Sequence, residues 1–145
     1  MHGIWIKGVH HMLDATAHLE IIDLYSEYNR AIDKGDADNW ANTFTDDGLF
    51  HHPARVFSGA DELRQFIRER TAKLTSSPSV EQQHWNSRVC LEGRDGWAHG
   101  SCQLIVTGVN RETGKPCVVV RGNYEDQLER SEAGWRFKKR RLVVL

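Results

Sequence analysis

The chain changes its periodicity near Pro78, and that change limits the fold more than any other feature of the sequence. Before it, apolar residues recur every three or four positions, the period of a helix with one buried face. After it, side chains alternate or run through valine-rich stretches bounded by turn residues, the pattern of long strands. Helices that come first and strands that come last cannot build alternating βαβ units. They predict an α+β domain, one layer of helix packed on one curved, mainly antiparallel sheet.

The first helix is expected over 15–34, with Leu19, Ile21, Ile22, Leu24, Tyr25, Tyr28, Ala31 and Ile32 as its apolar positions. Asp14 or Thr16 suits its N-cap, and Gly35 stops it by taking a left-handed conformation. Asp36 caps a second, short helix running through Trp40 and Phe44. Asp46-Asp47-Gly48 reads as a turn, and Leu49 to His52 as a short strand ended by Pro53. A third helix is expected over 60–74, with Leu63, Phe66, Ile67 and Arg70 on one stripe. Strands then follow over 80–91, 97–109, 117–130 and 135–145, with turns at 92–96 and 110–116. Within the first of these, alternation puts Trp85, Val89 and Leu91 on one side and His84, Asn86, Arg88 and Cys90 on the other.

Composition narrows the function classes. The 145 residues suit one domain, and at that size a chain buries about 70% of its unfolded surface. Nineteen basic and twenty acidic residues give a net charge of −1, which offers no field for nucleic acid or an anionic membrane. Cys90, Cys102 and Cys117 are odd in number and widely spaced. They read as reduced core residues suited to a cytoplasmic protein, not as a disulfide framework or zinc site. No apolar run reaches the length of a membrane span. Residues 1–14 read as an extension ahead of a domain at 15–145. Met12 is a possible natural start, and the preceding residues lack the apolar stretch of a secretory signal.

Several segments together resemble the SnoaL-like branch of the nuclear transport factor 2 superfamily. They are Glu20 to Tyr25, Ala31 to Asp36, Trp40, Phe44, Asp46-Asp47, and the ending Tyr124 to Arg130 followed by Gly134 to Phe137. The resemblance covers roughly residues 15–142 and implies the cone-shaped fold of that superfamily. Within it the sequence is similar to scytalone dehydratase, bile acid 7α-dehydratase and hexachlorocyclohexane dehydrochlorinase. Those enzymes carry an aspartate at the end of the first helix and a histidine on the first long strand, positions matched by Asp33 and His84. Tyr28 matches a pocket tyrosine of the bile acid enzyme, and Arg140 falls where the dehydrochlorinase has a pocket arginine. The further pocket tyrosines of scytalone dehydratase fall on Ile32 and around His51, so its substrate class does not carry over. Ketosteroid isomerases of this fold place an aspartate before proline where this chain has His52-Pro53, which makes steroid isomerisation a poorer match.

The resemblance therefore implies a cofactor-independent lyase or isomerase. Asp33 and His84 would be its catalytic dyad, and Tyr28, His51 and Arg140 would contact a small, largely apolar cyclic substrate. Such roles are chemically reasonable. A histidine titrates near neutrality, and a carboxylate on its other ring nitrogen fixes the tautomer and stabilises the imidazolium. Two alternatives stand beside it: a non-catalytic subunit like the β subunit of ring-hydroxylating dioxygenases, and a module that only binds a small apolar ligand. Neither a metal nor a nucleotide cofactor is expected. His51 and His52 are adjacent on a strand and point to opposite faces, and no glycine-rich phosphate loop is visible. A homodimer is expected, formed through an uncovered apolar sheet face carrying Trp85, Val89 and Leu91.

Overall fold

The computed structural model describes residues 13–145. Met12 and the segment before it lie outside the described residues. Leu13 packs against the core and Asp14 caps the first helix, so the folded unit includes residues ahead of 15.

Helix α1 spans Ala15–Lys34. The Asp14 carboxylate accepts from the Ala17 N–H at 2.7 Å, and Gly35 closes the helix at φ 69°. Its buried positions are Ile21, Leu24, Tyr25, Tyr28, Ala31 and Ile32, while Leu19 and Ile22 face outward. Helix α2 is short, Ala37–Ala41, and stops before Phe44. Phe44 instead begins strand β1, Phe44–His51, which continues through the expected Asp46-Asp47-Gly48 turn. Gly48 fits there because a Cβ would press on Phe44 and on the backbone of Phe137. A three-residue strand β2, Val56–Ser58, precedes helix α3, Gly59–Leu74.

Four long strands follow: β3 Ser79–Arg94, β4 Trp97–Asn110, β5 Pro116–Ser131 and β6 Gly134–Val144. The sheet order is β2-β1-β6-β5-β4-β3. All neighbours are antiparallel except β1 and β6, which run parallel, so the sheet is mixed and six-stranded. The helices pack on its concave face, as the α+β expectation requires.

Bulges decide which residues face that interior. Strand β3 carries one extra residue between Val80 and Gln83 and another between Ser87 and Cys90. Glu81 and Arg88 take φ of 53° and 52° there, a left-handed conformation that non-glycine residues adopt at some cost. Between the bulges, His84 stands opposite Val106 and Asn86 opposite Leu104, both buried core residues, so His84 and Asn86 point inward. Beyond the second bulge, Leu91 stands opposite Gly100 and also turns inward. Leu91 therefore does not share a face with Trp85, because the bulge reverses the alternation between them. Strand β6 has a similar irregularity, pairing Lys139 with Gln127 but Phe137 with Leu128. Phe137 and Arg140 consequently both point inward although they are three positions apart.

Candidate active site

The last turn of α1 lies against the edge strand β3. An edge strand has backbone N–H groups without a ladder partner, and that of His84 is taken by the Asp33 carboxylate, 3.1 Å from each oxygen. The imidazole bends to the same group, with Nδ1 2.6 Å from Asp33 Oδ1. An ionised carboxylate only accepts, so Nδ1 carries the proton and Nε2 holds the lone pair. Nε2 has no side-chain partner among the described residues. One turn earlier on α1, Asn29 Nδ2 donates to Asn86 Oδ1 at 2.8 Å, a second polar rung across the same seam.

The His84 side chain is only 6% exposed, against 22% for Asp33. Burial holds its pKa below the usual histidine value. The Asp33 hydrogen bond and charge pull it up, but the nearby Arg70 and Arg140 push it further down. The ring is thus neutral at pH 7, in the form that can accept a proton.

Behind His84 the cone is filled by side chains. Arg140 is fully buried and grips Asp126, with Nε 2.8 Å from Oδ1 and Nη2 3.1 Å from Oδ2. Its guanidinium lies over the rings of Tyr25, Tyr28, Tyr124 and Phe137, 3.7–4.7 Å from their centroids. Burial lowers the Arg140 pKa, but Asp126 and the surrounding tyrosines outweigh it and hold the group firmly charged. Burial pushes the Asp126 carboxyl up, opposed by Arg140 and the Tyr25 hydroxyl. With three donors on its two oxygens it stands as an ion. The Tyr28 and Tyr124 hydroxyls lie 3.3 Å apart in the same cluster. Burial also raises the Cys102 thiol to about 11, so this cysteine is an inert neighbour of the guanidinium.

Of the expected site residues, Asp33 and His84 are brought together. Tyr28 and Arg140 lie deeper and border neither of the two open grooves that reach the dyad. One groove, about 380 Å³, runs between α1 and β3 and is bounded by Ile22, Asn29, Asp33, His84, Trp85 and Val89. The other, about 780 Å³, continues past Arg30, Lys34, Gln82 and Thr107. His51 stands beside Arg141 at the end of β1, on the side opposite buried Phe50, so it faces away from the interior. Its neighbour His52 instead packs on Phe50 and Phe66.

Four participants were not anticipated: Asp126, Tyr25, Tyr124 and Arg70. The alternation Tyr124, Asp126, Leu128 on β5 carried the signal for an inward carboxylate. Arg70, sitting on the apolar stripe of α3, carried the signal for a half-buried cation. Among the described residues no three His, Cys, Asp or Glu side chains converge as a metal site would require, and no helix is long and apolar enough to cross a membrane.

A SnoaL-like domain family matches residues 14–141, nearly the whole chain. The chain belongs to the SnoaL-like family. Solved structures agree. The Rv3472 protein of Mycobacterium tuberculosis, described as of unknown function, is 27% identical over 88% of this chain and 70% of its own, with a TM-score of 0.77. A cystatin-like-fold protein of unknown function from Nostoc punctiforme is also 27% identical, over 92% of this chain and 94% of its own, with a TM-score of 0.76. A Catenulispora acidiphila protein solved in complex with S-DNPA is 20% identical over 89% of this chain and 95% of its own, with a TM-score of 0.73, and shares the fold. No curated protein matches this SnoaL-like chain.

Proposed function

We propose that this SnoaL-like protein is a cofactor-independent lyase, of dehydratase or dehydrohalogenase type, or an isomerase. Its substrate would be a small, largely apolar cyclic molecule held in the groove between α1 and β3. The observation that carries this reading is the 2.6 Å contact between Asp33 and His84 Nδ1, which leaves Nε2 of a neutral ring without a side-chain partner among the described residues. Nε2 removes a proton from carbon, and the C–H electrons form a new double bond as the neighbouring C–X bond breaks. The imidazolium formed is stabilised by Asp33. If X is hydroxyl, the imidazolium returns the proton to it and water leaves. If X is halide, the anion departs and the proton passes to solvent. Returning the proton to a different carbon gives isomerisation.

The test does not require the substrate to be known. The protein is incubated in D₂O with a panel of cyclic ketones, β-hydroxy ketones and haloalicyclic compounds. Deuterium uptake and loss of water or acid are then followed by mass spectrometry. His84→Ala should lower the rate on any active compound by about 10²–10⁴-fold, and Asp33→Asn nearly as much. The two losses should not add, because the residues act as a unit. Turnover unaffected by His84→Ala would end this reading.

One observation favours a second reading. The interior behind the dyad is filled by Tyr25, Tyr28, Tyr124, Phe137 and Arg140, and the space reaching His84 is open groove, not a closed apolar chamber. The filled interior fits a non-catalytic subunit, and the open groove is the only place among the described residues near His84 where a module that merely binds a small ligand could hold it. Compounds that shift the His84 ring resonances without any turnover would favour it.

Two further properties belong to the proposal. The outer sheet face exposes Trp85 by 55% and Val118 by 65%, with Ile105 beside them, and a second copy would cover it. Only Cys102 is a core residue as expected, since Cys90 is exposed and Cys117 half-buried; as free thiols the three suit a reducing cytoplasm.

A further inference from the structure

We propose that Arg70 is a positioning residue for the Asp33–His84 pair, tying the last turn of α1 to strand β3 so that carboxylate and imidazole stay in register. The inference rests on the dyad reading for its catalytic meaning, but its geometry stands apart from any reaction.

Arg70 reaches from α3 to both elements that supply the dyad. Its Nη1 donates to the carbonyl of Ile32 at 3.3 Å, and Ile32 is the residue before Asp33. Its Nη2 donates to Gln82 Oε1 at 3.2 Å, and Gln82 is two residues before His84 on the same inward face. Gln82 is held in turn, since its Nε2 donates to Ser79 Oγ at 2.8 Å. One planar guanidinium therefore spans the seam at the point where α1 ends. The Ile32 carbonyl already accepts from the Gly35 N–H at 3.1 Å, so Arg70 adds a second donor there while matching the negative end of the helix dipole. Lysine carries its donors on one nitrogen at the end of a flexible stem, so it cannot reproduce the span of two guanidinium nitrogens that Arg70 uses.

The second effect is electrostatic. The charged groups acting on His84 are Asp33 from α1, Arg70 from α3 and Arg140 from β6, while β4 presents Val106 opposite. Arg140 is already neutralised by Asp126. Arg70 has no carboxylate within ion-pair distance among the described residues, so its charge disfavours a proton on the ring. The clamp would thus both hold the base and keep it unprotonated.

The experiment reads the ligand-free protein by NMR. In the wild type the short Asp33 contact should give a low-field, slowly exchanging Nδ1 proton on His84 and a single ring tautomer. Arg70→Met keeps the stem but removes both hydrogen bonds and the charge. The proton should exchange at least about fivefold faster, the factor for one lost hydrogen bond, and the ring should titrate at higher pH. Arg70→Lys should speed exchange without that rise. Gln82→Ala reaches the clamp from the strand side and should also speed exchange, which keeps the test available if an Arg70 variant does not fold. Retention of the protected proton and single tautomer in folded Arg70→Met, Arg70→Lys and Gln82→Ala proteins would overturn the proposal. Deuterium transfer lost in His84→Ala but unchanged in these variants would overturn the positioning role alone, and no transfer in any protein would count against the lyase reading alone.

Discussion

Removing the guanidinium of Arg140 should be among the most damaging single changes in this molecule. Arg140 and Asp126 side chains are both 0% exposed, and two hydrogen bonds of 2.8 and 3.1 Å join them. Arg140→Met retains most of the stem but leaves Asp126 buried with only the Tyr25 hydroxyl at 2.5 Å. Breaking one side of a buried ion pair costs about 3–5 kcal/mol, because the surviving charge remains desolvated. A domain of this kind has roughly 5–15 kcal/mol in total. With a urea slope of about 2 kcal/mol per molar, the midpoint should fall by roughly 1.5–2.5 M. Replacing the partners together, Arg140→Met with Asp126→Leu and Tyr25→Phe, leaves no orphaned polar group and should recover much of the loss. The single mutant should also respond to acid. Its lone buried carboxyl has a folded pKa above the unfolded value, so the penalty is absent below that unfolded value and grows as pH rises. Urea melts at pH 5 and pH 7 test this. A loss under about 1 kcal/mol at pH 7, with additive behaviour in the combined variant, would refute the picture of a dry, closed pair.

Two further outcomes follow from the same fold. The folded His84 pKa lies below the histidine value of 6.5, so below pH 6.5 the unfolded chain takes up a proton that the folded one resists. Stability should fall as pH drops through that window. His84→Asn should flatten the thermal-melt slope there in part, leaving a share from His52, which burial shifts the same way. Any base-catalysed rate should rise with pH through a midpoint below 6.5. Separately, Trp85→Asp on the outer sheet face should shift a dimer toward monomer by light scattering, whereas a wild-type monomer at micromolar concentration would remove the dimer proposal.

The backbone plan was legible because each element announces its own period and ends on readable residues. Helix α1 occupies 15–34 as its apolar spacing, Asp14 and Gly35 require, and the turns at Gly96 and Gly114 separate strands whose bounds lie within a few residues of expectation. The turn chemistry of Asp46-Asp47-Gly48 predicts a shorter β1 than the strand that forms. The parallel register with β6 and the close packing at Gly48 override that local preference. Bulges were the hidden term for the site. Alternation from Trp135 and Phe137 puts Arg140 on the outer face, within a charge run that reads as solvated. The extra residue in β6 reverses it into the core. The same device separated Leu91 from Trp85. No local residue pattern marks such an insertion, since it is fixed by pairing with strands far away in sequence.

The dyad itself depends on a match of two repeats. On α1, Asn29 and Asp33 are four residues apart and rise about 6 Å along the helix. On β3, Asn86 and His84 are two apart and advance about 6.6–6.8 Å. The chains run in opposite senses along the seam, so Asn29 meets Asn86 and Asp33 meets His84 without strain in either element. Register then decides everything, because a one-residue slip of β3 would carry Gln82, His84 and Asn86 to the outer face together. The bulges at Glu81 and Arg88 bracket this three-rung stretch and fix it against β4. The left-handed backbone at these two positions therefore has a specific consequence: it places the His84 imidazole beside the Asp33 carboxylate and Leu91 back against the core.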